Sequence, residues 1–190
     1  RNKNDPNPVP MAGVPHHAVA GYIQKLTDAG YRVAIADQVQ DPAEAKGLVE
    51  RAIVRVVTPG VVLDPTSIAS GESNWLCAVY TDGQAWGLAF LDASTGGLRL
   101  TAVDDASRVL VELQRHEPRE ALLAPEAGTE VVRAALASAT ISRVDPTAWR
   151  PEEALRELCE TLEVADLRGY GVDDPATHLG VRAAGAVLRY

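Results

Sequence analysis

The sequence is poor in cysteine, in positive charge and in long apolar stretches. Its two cysteines are too few for a disulfide framework. Cys77 lies in an apolar strand-like run and Cys159 in a helix-like one, so both are expected as buried thiols. The longest apolar runs, such as Ala183 to Leu188, fall far short of the roughly 20 residues that a membrane-spanning helix needs. The first residues, Arg1-Asn2-Lys3-Asn4-Asp5-Pro6, are polar and lead into no apolar segment of the kind a secretory signal carries. A cytoplasmic protein is expected. Lys and Arg number 18 against 26 Asp and Glu, a formal net charge of -8. Residues 1–66 hold seven basic and seven acidic side chains, so the remainder carries the whole excess. Phosphate neutralisation by Lys and Arg supplies most affinity for nucleic acid, which makes the second part a poor DNA surface and the first a candidate one.

What is present is globular in kind: 190 residues, 46% hydrophobic and 23% charged. That length accommodates one large core or two small ones, and one complete domain with a remnant of another is expected. Prolines at 6, 8, 10 and 15 make the opening stretch a loop. From His16, the apolar positions Val19, Tyr22, Ile23 and Leu26 repeat at helical spacing, and Gly30 stands where a helix commonly stops. Tyr31 to Ala36 alternates as a strand does, and Glu50 to Val57 is a second, β-branched strand. The segment 59–72, with its prolines and glycines, reads as a linker.

Three strand-like runs follow, Trp75–Tyr80, Ala85–Leu91 and Gly97–Thr101. Asp82-Gly83 between the first two predicts a tight hairpin turn with positive φ at both central residues. Helix and strand patterns then alternate: helix Ala106–His116, strand Ala121–Leu123, helix Glu126–Ala137, strand Ile141–Val144, helix Pro151–Leu162 and a last helix Asp174–Tyr190. A meander followed by crossovers implies an α/β domain, a mixed sheet with helices on its faces. This order resembles the ribonuclease H-like fold. The last helix meets no stop signal before Tyr190, so both termini read as cut from a longer polypeptide.

Catalytic motifs are mostly missing. There is no phosphate-cradling G-x-x-x-x-G-K-[ST], and Gly169-Tyr170-Gly171 does not continue as G-x-G-x-x-G. His116-Glu117-Pro118-Arg119-Glu120 starts like a zinc-binding H-E-x-x-H, but ends in Glu120 and is broken by Pro118; a helix C-terminus with a well-placed histidine is the simpler reading. No nucleophile elbow surrounds Ser94. Two-metal nuclease chemistry needs converging carboxylates. The candidates are Asp82 in a turn, Asp92 at a strand end, Glu112 and Asp173, with turn or cap roles as the alternative. His16 and His17 follow Pro15 at a helix start, where free backbone N–H groups favour an anion. Trp75, Trp86 and Trp149 read as packing residues, because their neighbourhood is not basic.

Pro10-Met11-Ala12-Gly13-Val14-Pro15-His16-His17-Ala18-Val19, then Gly21-Tyr22 and Lys25-Leu26, resembles the MutS family of bacterial mismatch-recognition proteins. Val33-Ala34-Ile35-Ala36-Asp37-Gln38-Val39, Asp41-Pro42, Lys46-Gly47, Val49-Glu50-Arg51 and Val56-Val57-Thr58-Pro59-Gly60 are similar to that family's first domain. Leu91-Asp92-Ala93-Ser94-Thr95-Gly96 and Gly169-Tyr170-Gly171-Val172 resemble its connector domain. The resemblance implies that residues 1–58 are the C-terminal part of a mismatch-recognition domain and 73–190 a ribonuclease H-like connector.

It further implies a parent that binds mismatched double-stranded DNA in repair, is a homodimer and hydrolyses ATP with Mg in a domain outside this chain. The chain itself then needs no cofactor or metal and has no catalytic residue. The family reads a mismatch with a Phe-x-Glu motif; the single phenylalanine here, Phe90, is followed by Leu91 and Asp92, so the reading residue is not in this chain. Matched by position, Arg1, Lys3, Met11, Gly13 and His17 fall where the family runs along the DNA backbone, while His16 departs from a frequent tyrosine. The family's connector also docks MutL, for which Arg156, Glu157 and Glu160 on the helix 151–162 are the candidate face, a plain solvated face being the alternative. Two other readings stay open: a metal-dependent nuclease of ribonuclease H-like fold, and a standalone protein-interaction domain.

Overall fold

The structure is a computed structural model, and it describes residues 10–42, 45, 47–61, 73–125, 129–174 and 178–190. It is built as a small first module followed by a layered connector.

In the first module a 3-10 turn, His16–Ala18, runs into helix α1, Val19–Asp28. The helix closes with Gly30 N donating to Thr27 O and Tyr31 N to Leu26 O, both at 2.9 Å, and Gly30 takes φ +84°. That left-handed position is open to glycine without penalty. Because Gly30 and Tyr31 are used in the closure, strand β1 begins two residues later than the alternation predicts, at Val33–Gln38. It pairs antiparallel with β2, Arg51–Val57, through an irregularity between Ile35 and Ala36. Most described residues of this module are exposed: Ile53 is 66% exposed, Val54 53% and Val56 50%. Among the described residues the module has no core of its own.

The connector has one five-stranded sheet in the order β5-β4-β3-β6-β7. Strands β3 (Trp75–Thr81), β4 (Trp86–Asp92) and β5 (Gly97–Val103) form the antiparallel meander, and β6 (Glu120–Leu123) and β7 (Thr140–Ser142) add in parallel to β3. The sheet is therefore mixed, as the element order implies. Helix α2, Ala106–His116, starts at Asp105, whose side chain accepts from Arg108 N. Helix α4, Pro151–Leu162, has proline at its first position, where the missing N–H costs nothing. Helix α5 spans Leu179–Arg189.

Strand alternation sorts the core into two layers. Leu76, Ala78 and Tyr80 face α4 and α5 with Ala89, Leu122, Trp149 and Leu158. Cys77 and Val79 face the other way, with Trp86, Leu88, Phe90, Val109, Leu113 and Val132. Cys77 is buried and Cys159 half-buried, both as free thiols, and the three tryptophans serve packing.

Three local expectations change. The loop after β3 has four residues, 82–85, and only Gly83 takes positive φ. Asp82 keeps a normal backbone and makes the turn with its side chain, accepting from Gln84 N and Ala85 N, each at 2.9 Å. The helix expected over 126–137 is one short turn, α3 (Glu130–Arg133), continued as a 3-10 turn to Leu136; residues 126–128 lie outside the described ones. The last helix begins at Leu179, and residues 175–177 of the expected span are likewise outside.

Candidate functional site

Pro15, with φ -62° and ψ 139°, leads the chain into the first helical turn, and Ala18 N donates to Pro15 O at 2.9 Å. No side chain caps this start. The leading N–H groups of such a turn lack intrahelical partners, and together with the helix dipole they suit a phosphate oxygen. Met11 is 78% exposed, Gly13 has open space around it, and His16 and His17 are exposed. Met11, Gly13 and His17 thus share one accessible loop and turn. Arg1 and Lys3 lie outside the described residues.

On α4, Arg156 and Glu160 are exposed and Glu157 is half-buried. Arg156 pairs with Glu153 and, at 3.9 Å, with Glu160, along its own helix. The three residues are consecutive in helical turns but do not form one uniformly exposed face.

The carboxylates considered for metal chemistry are held apart. Asp82 and Asp92 flank opposite ends of β4, about 20 Å of extended chain. Burial of Asp92 opposes its ionisation, but bonds from Ser94 Oγ at 2.6 Å, Ser94 N at 3.0 Å and Asn74 N outweigh it and hold the carboxyl below its ordinary range. Asp82 is lowered by the N–H groups of Ala85 and Gln84. Glu112 lies 3.6 Å from His116 Nδ1, and Asp173 is exposed. Among the described residues no group of three His, Cys, Asp or Glu could hold a metal ion.

His116 closes α2 as a buried packing residue. Its ring stacks on Phe90 with centroids 4.1 Å apart and meets Trp75 edge-on at 5.1 Å. Arg99 Nη1 lies 3.4 Å from Nε2, and Nδ1 lies 3.0 Å from Glu112 O. Phe90 is 1% exposed within this stack, where it cannot wedge into a base pair.

The residue that sequence reasoning missed is Glu120. Fully buried at the head of β6, it accepts from Gly60 N at 2.9 Å, from Tyr190 Oη at 2.6 Å and from Ser142 Oγ. An acidic residue directly ahead of the buried run Ala121-Leu122-Leu123 was the available signal. The same joint holds Pro59 O, which accepts from Asn74 Nδ2 at 3.2 Å. A crevice of about 640 Å³ opens beside it between Asp28–Gly30, Pro59, Arg119 and Ala137–Thr140.

Known proteins match both modules in order. The family model of MutS domain I matches residues 1–66, and that of MutS domain II matches residues 74–190. A DNA mismatch repair protein MutS of Desulfatibacillum aliphaticivorans is 45% identical over 195 residues, covering 100% of this chain and 22% of that protein. One of Syntrophobacter fumaroxidans is 43% identical over 191 residues, covering 96% and 21%, and one of Anaeromyxobacter dehalogenans 42% over 193 residues, covering 100% and 21%. The chain spans about a fifth of the length of these relatives. No helix among the described residues is long and apolar enough to cross a membrane. With its second module matched from end to end and its first preceding it in the family's order, the chain belongs to the MutS family of DNA mismatch repair proteins, of which it carries domains I and II.

Proposed function

We propose that this chain works inside a longer, homodimeric MutS protein that binds mismatched double-stranded DNA in the cytoplasm, at the nucleoid. The first module lays Arg1, Lys3, Met11, Gly13 and His17 along the DNA backbone. Phosphate contacts of this kind position a protein without reading sequence. The connector carries ATP-linked movement between the recognition end and the ATPase end, and offers the Arg156, Glu157 and Glu160 region of α4 to MutL. The chain catalyses nothing itself; ATP and Mg belong to a domain of the parent outside it.

The observation that carries the reading is the uncapped, exposed helix start behind Pro15, in a chain whose two modules match the family in order. The burial of the single phenylalanine supports assigning mismatch reading to another part of the parent.

Binding of the chain to labelled duplexes, matched or carrying one G·T pair, at two salt concentrations with Mg²⁺, tests the proposal. A weak, salt-sensitive signal without mismatch preference is expected, and His17→Ala lowers it further. Clear mismatch preference would give the reading role to residues 10–17, and strand cleavage lost in Asp92→Asn would establish the nuclease instead. No binding at low salt by the chain, with its connector folded, would remove the first module from the DNA contact.

A further inference from the structure

Residues 119 and 120 stand among those where the connector meets the first module and the segment leaving it. Arg119 Nη1 lies 3.0 Å from Asp28 Oδ1 at the end of α1. Both partners are about half exposed, and such surface pairs contribute little. Glu120 is in a different position, since it has no exposure at all.

A buried carboxyl is expensive unless its oxygens are bonded, and an apolar side chain would serve a sheet core better. Here three donors from three separate segments converge on it. Ser142 belongs to the neighbouring strand β7 and lies within the connector. Gly60 belongs to the segment that leaves β2, three residues past Val57, and a Cβ there would lie 2.8 Å from the Cβ of Glu120. Tyr190 follows α5, and its ring is covered by the Arg32 guanidinium, 5.7 Å from the ring centroid. Arg32 sits between α1 and β1, so Tyr190 touches both modules at once.

We propose that Glu120 and Tyr190 form a latch that fixes the first module on the connector: one carboxyl oxygen of Glu120 holds Gly60 N, and the other holds Tyr190 Oη, whose ring in turn takes the Arg32 guanidinium. The latch couples the end of α5 to the path of the chain out of β2: displacing Tyr190 removes one of the bonds to Glu120 and takes the ring away from the Arg32 guanidinium in the same step. This is a property of the chain itself and does not depend on its binding DNA.

Nitroxide labels at Ile53→Cys on β2 and Val111→Cys on α2, both exposed, report the distance between the modules by pulsed electron resonance. Cys159→Ser removes the half-buried thiol, and buried Cys77 stays. One narrow distance distribution is expected in the otherwise unchanged chain. Tyr190→Ala, which removes the ring under Arg32 together with the bond to Glu120, broadens it at least twofold. Ser142→Ala, which cuts a bond inside the connector, leaves it narrow. An unchanged width in Tyr190→Ala, or equal broadening in Ser142→Ala, overturns the latch. Near-ultraviolet circular dichroism from Trp86 and Trp149 checks that the connector is folded in each variant. If Tyr190→Ala loses that signal, Arg32→Ala replaces it: broadening supports the latch and an unchanged width overturns it.

Discussion

Gly185 on α5 lies so close to Ala154 on α4 that a Cβ on the glycine would fall 2.3 Å from the alanine Cβ and 2.5 Å from its Cα. Non-bonded carbon atoms do not sit at that separation, so the two helices cross where both carry almost nothing. The helix is enclosed along most of its length: eight of its 11 residues are buried.

Gly185→Ala therefore overpacks a crossing that has backbone on one side and cannot yield by a rotamer change. The expected loss is about 3 kcal/mol, at the upper end for small-to-large core changes, although alanine is the better helix former. Urea unfolding followed by tryptophan fluorescence measures it; a stability equal to or above that of the unsubstituted chain would show that α4 and α5 can separate freely.

Glu163 caps the C-terminal end of α4 with φ 54°, a left-handed conformation in a residue with a Cβ. Its side chain is exposed, so nothing is lost in packing when it is removed. Glu163→Gly relieves the strain and is expected to stabilise the connector by about 0.5–1 kcal/mol, less the added freedom of the unfolded glycine. Thermal unfolding reads this as a rise of a few degrees.

Burial, and next the bond to Glu120, raise Tyr190 above its ordinary value near 10. The folded state thus holds the phenolic proton more tightly than the unfolded state. Its contribution is complete below pH 10 and is lost as pH rises through the raised folded value. Denaturant unfolding between pH 8 and 11 is expected to show this alkaline loss in the unsubstituted chain and to lack it in Tyr190→Phe.

Much of the architecture is visible in residue order alone. The apolar spacing of Val19, Tyr22, Ile23 and Leu26 gives α1, and the apolar runs around Asp82-Gly83 and Thr95-Gly96-Gly97 give the meander. What fails is turn chemistry that a dipeptide does not decide: Asp82 uses its side-chain oxygen where a positive φ is predicted. Strand and helix limits shift where closing bonds consume residues, as at Gly30 and Tyr31. The joint is illegible for a deeper reason. Glu120 finds its partners 60, 22 and 70 positions away, and no local pattern records contacts of that range. The exposed start at Met11, Gly13 and His17 was legible through resemblance and the proline spacing, whereas the half-burial of Glu157 needed the helix to be seen against its neighbours.

The position of α5 also sets a timetable for synthesis. A ribosome releases β3 and β4 roughly a hundred residues before it releases Val181, Ala183, Ala184, Ala186 and Val187, which cover Leu76, Ala78, Tyr80 and Ala89. One sheet face stays wet and adhesive throughout that interval, the condition in which nascent chains engage chaperones or one another. The first module, released ahead of the sheet, receives its Tyr190 contact only after α5 has followed.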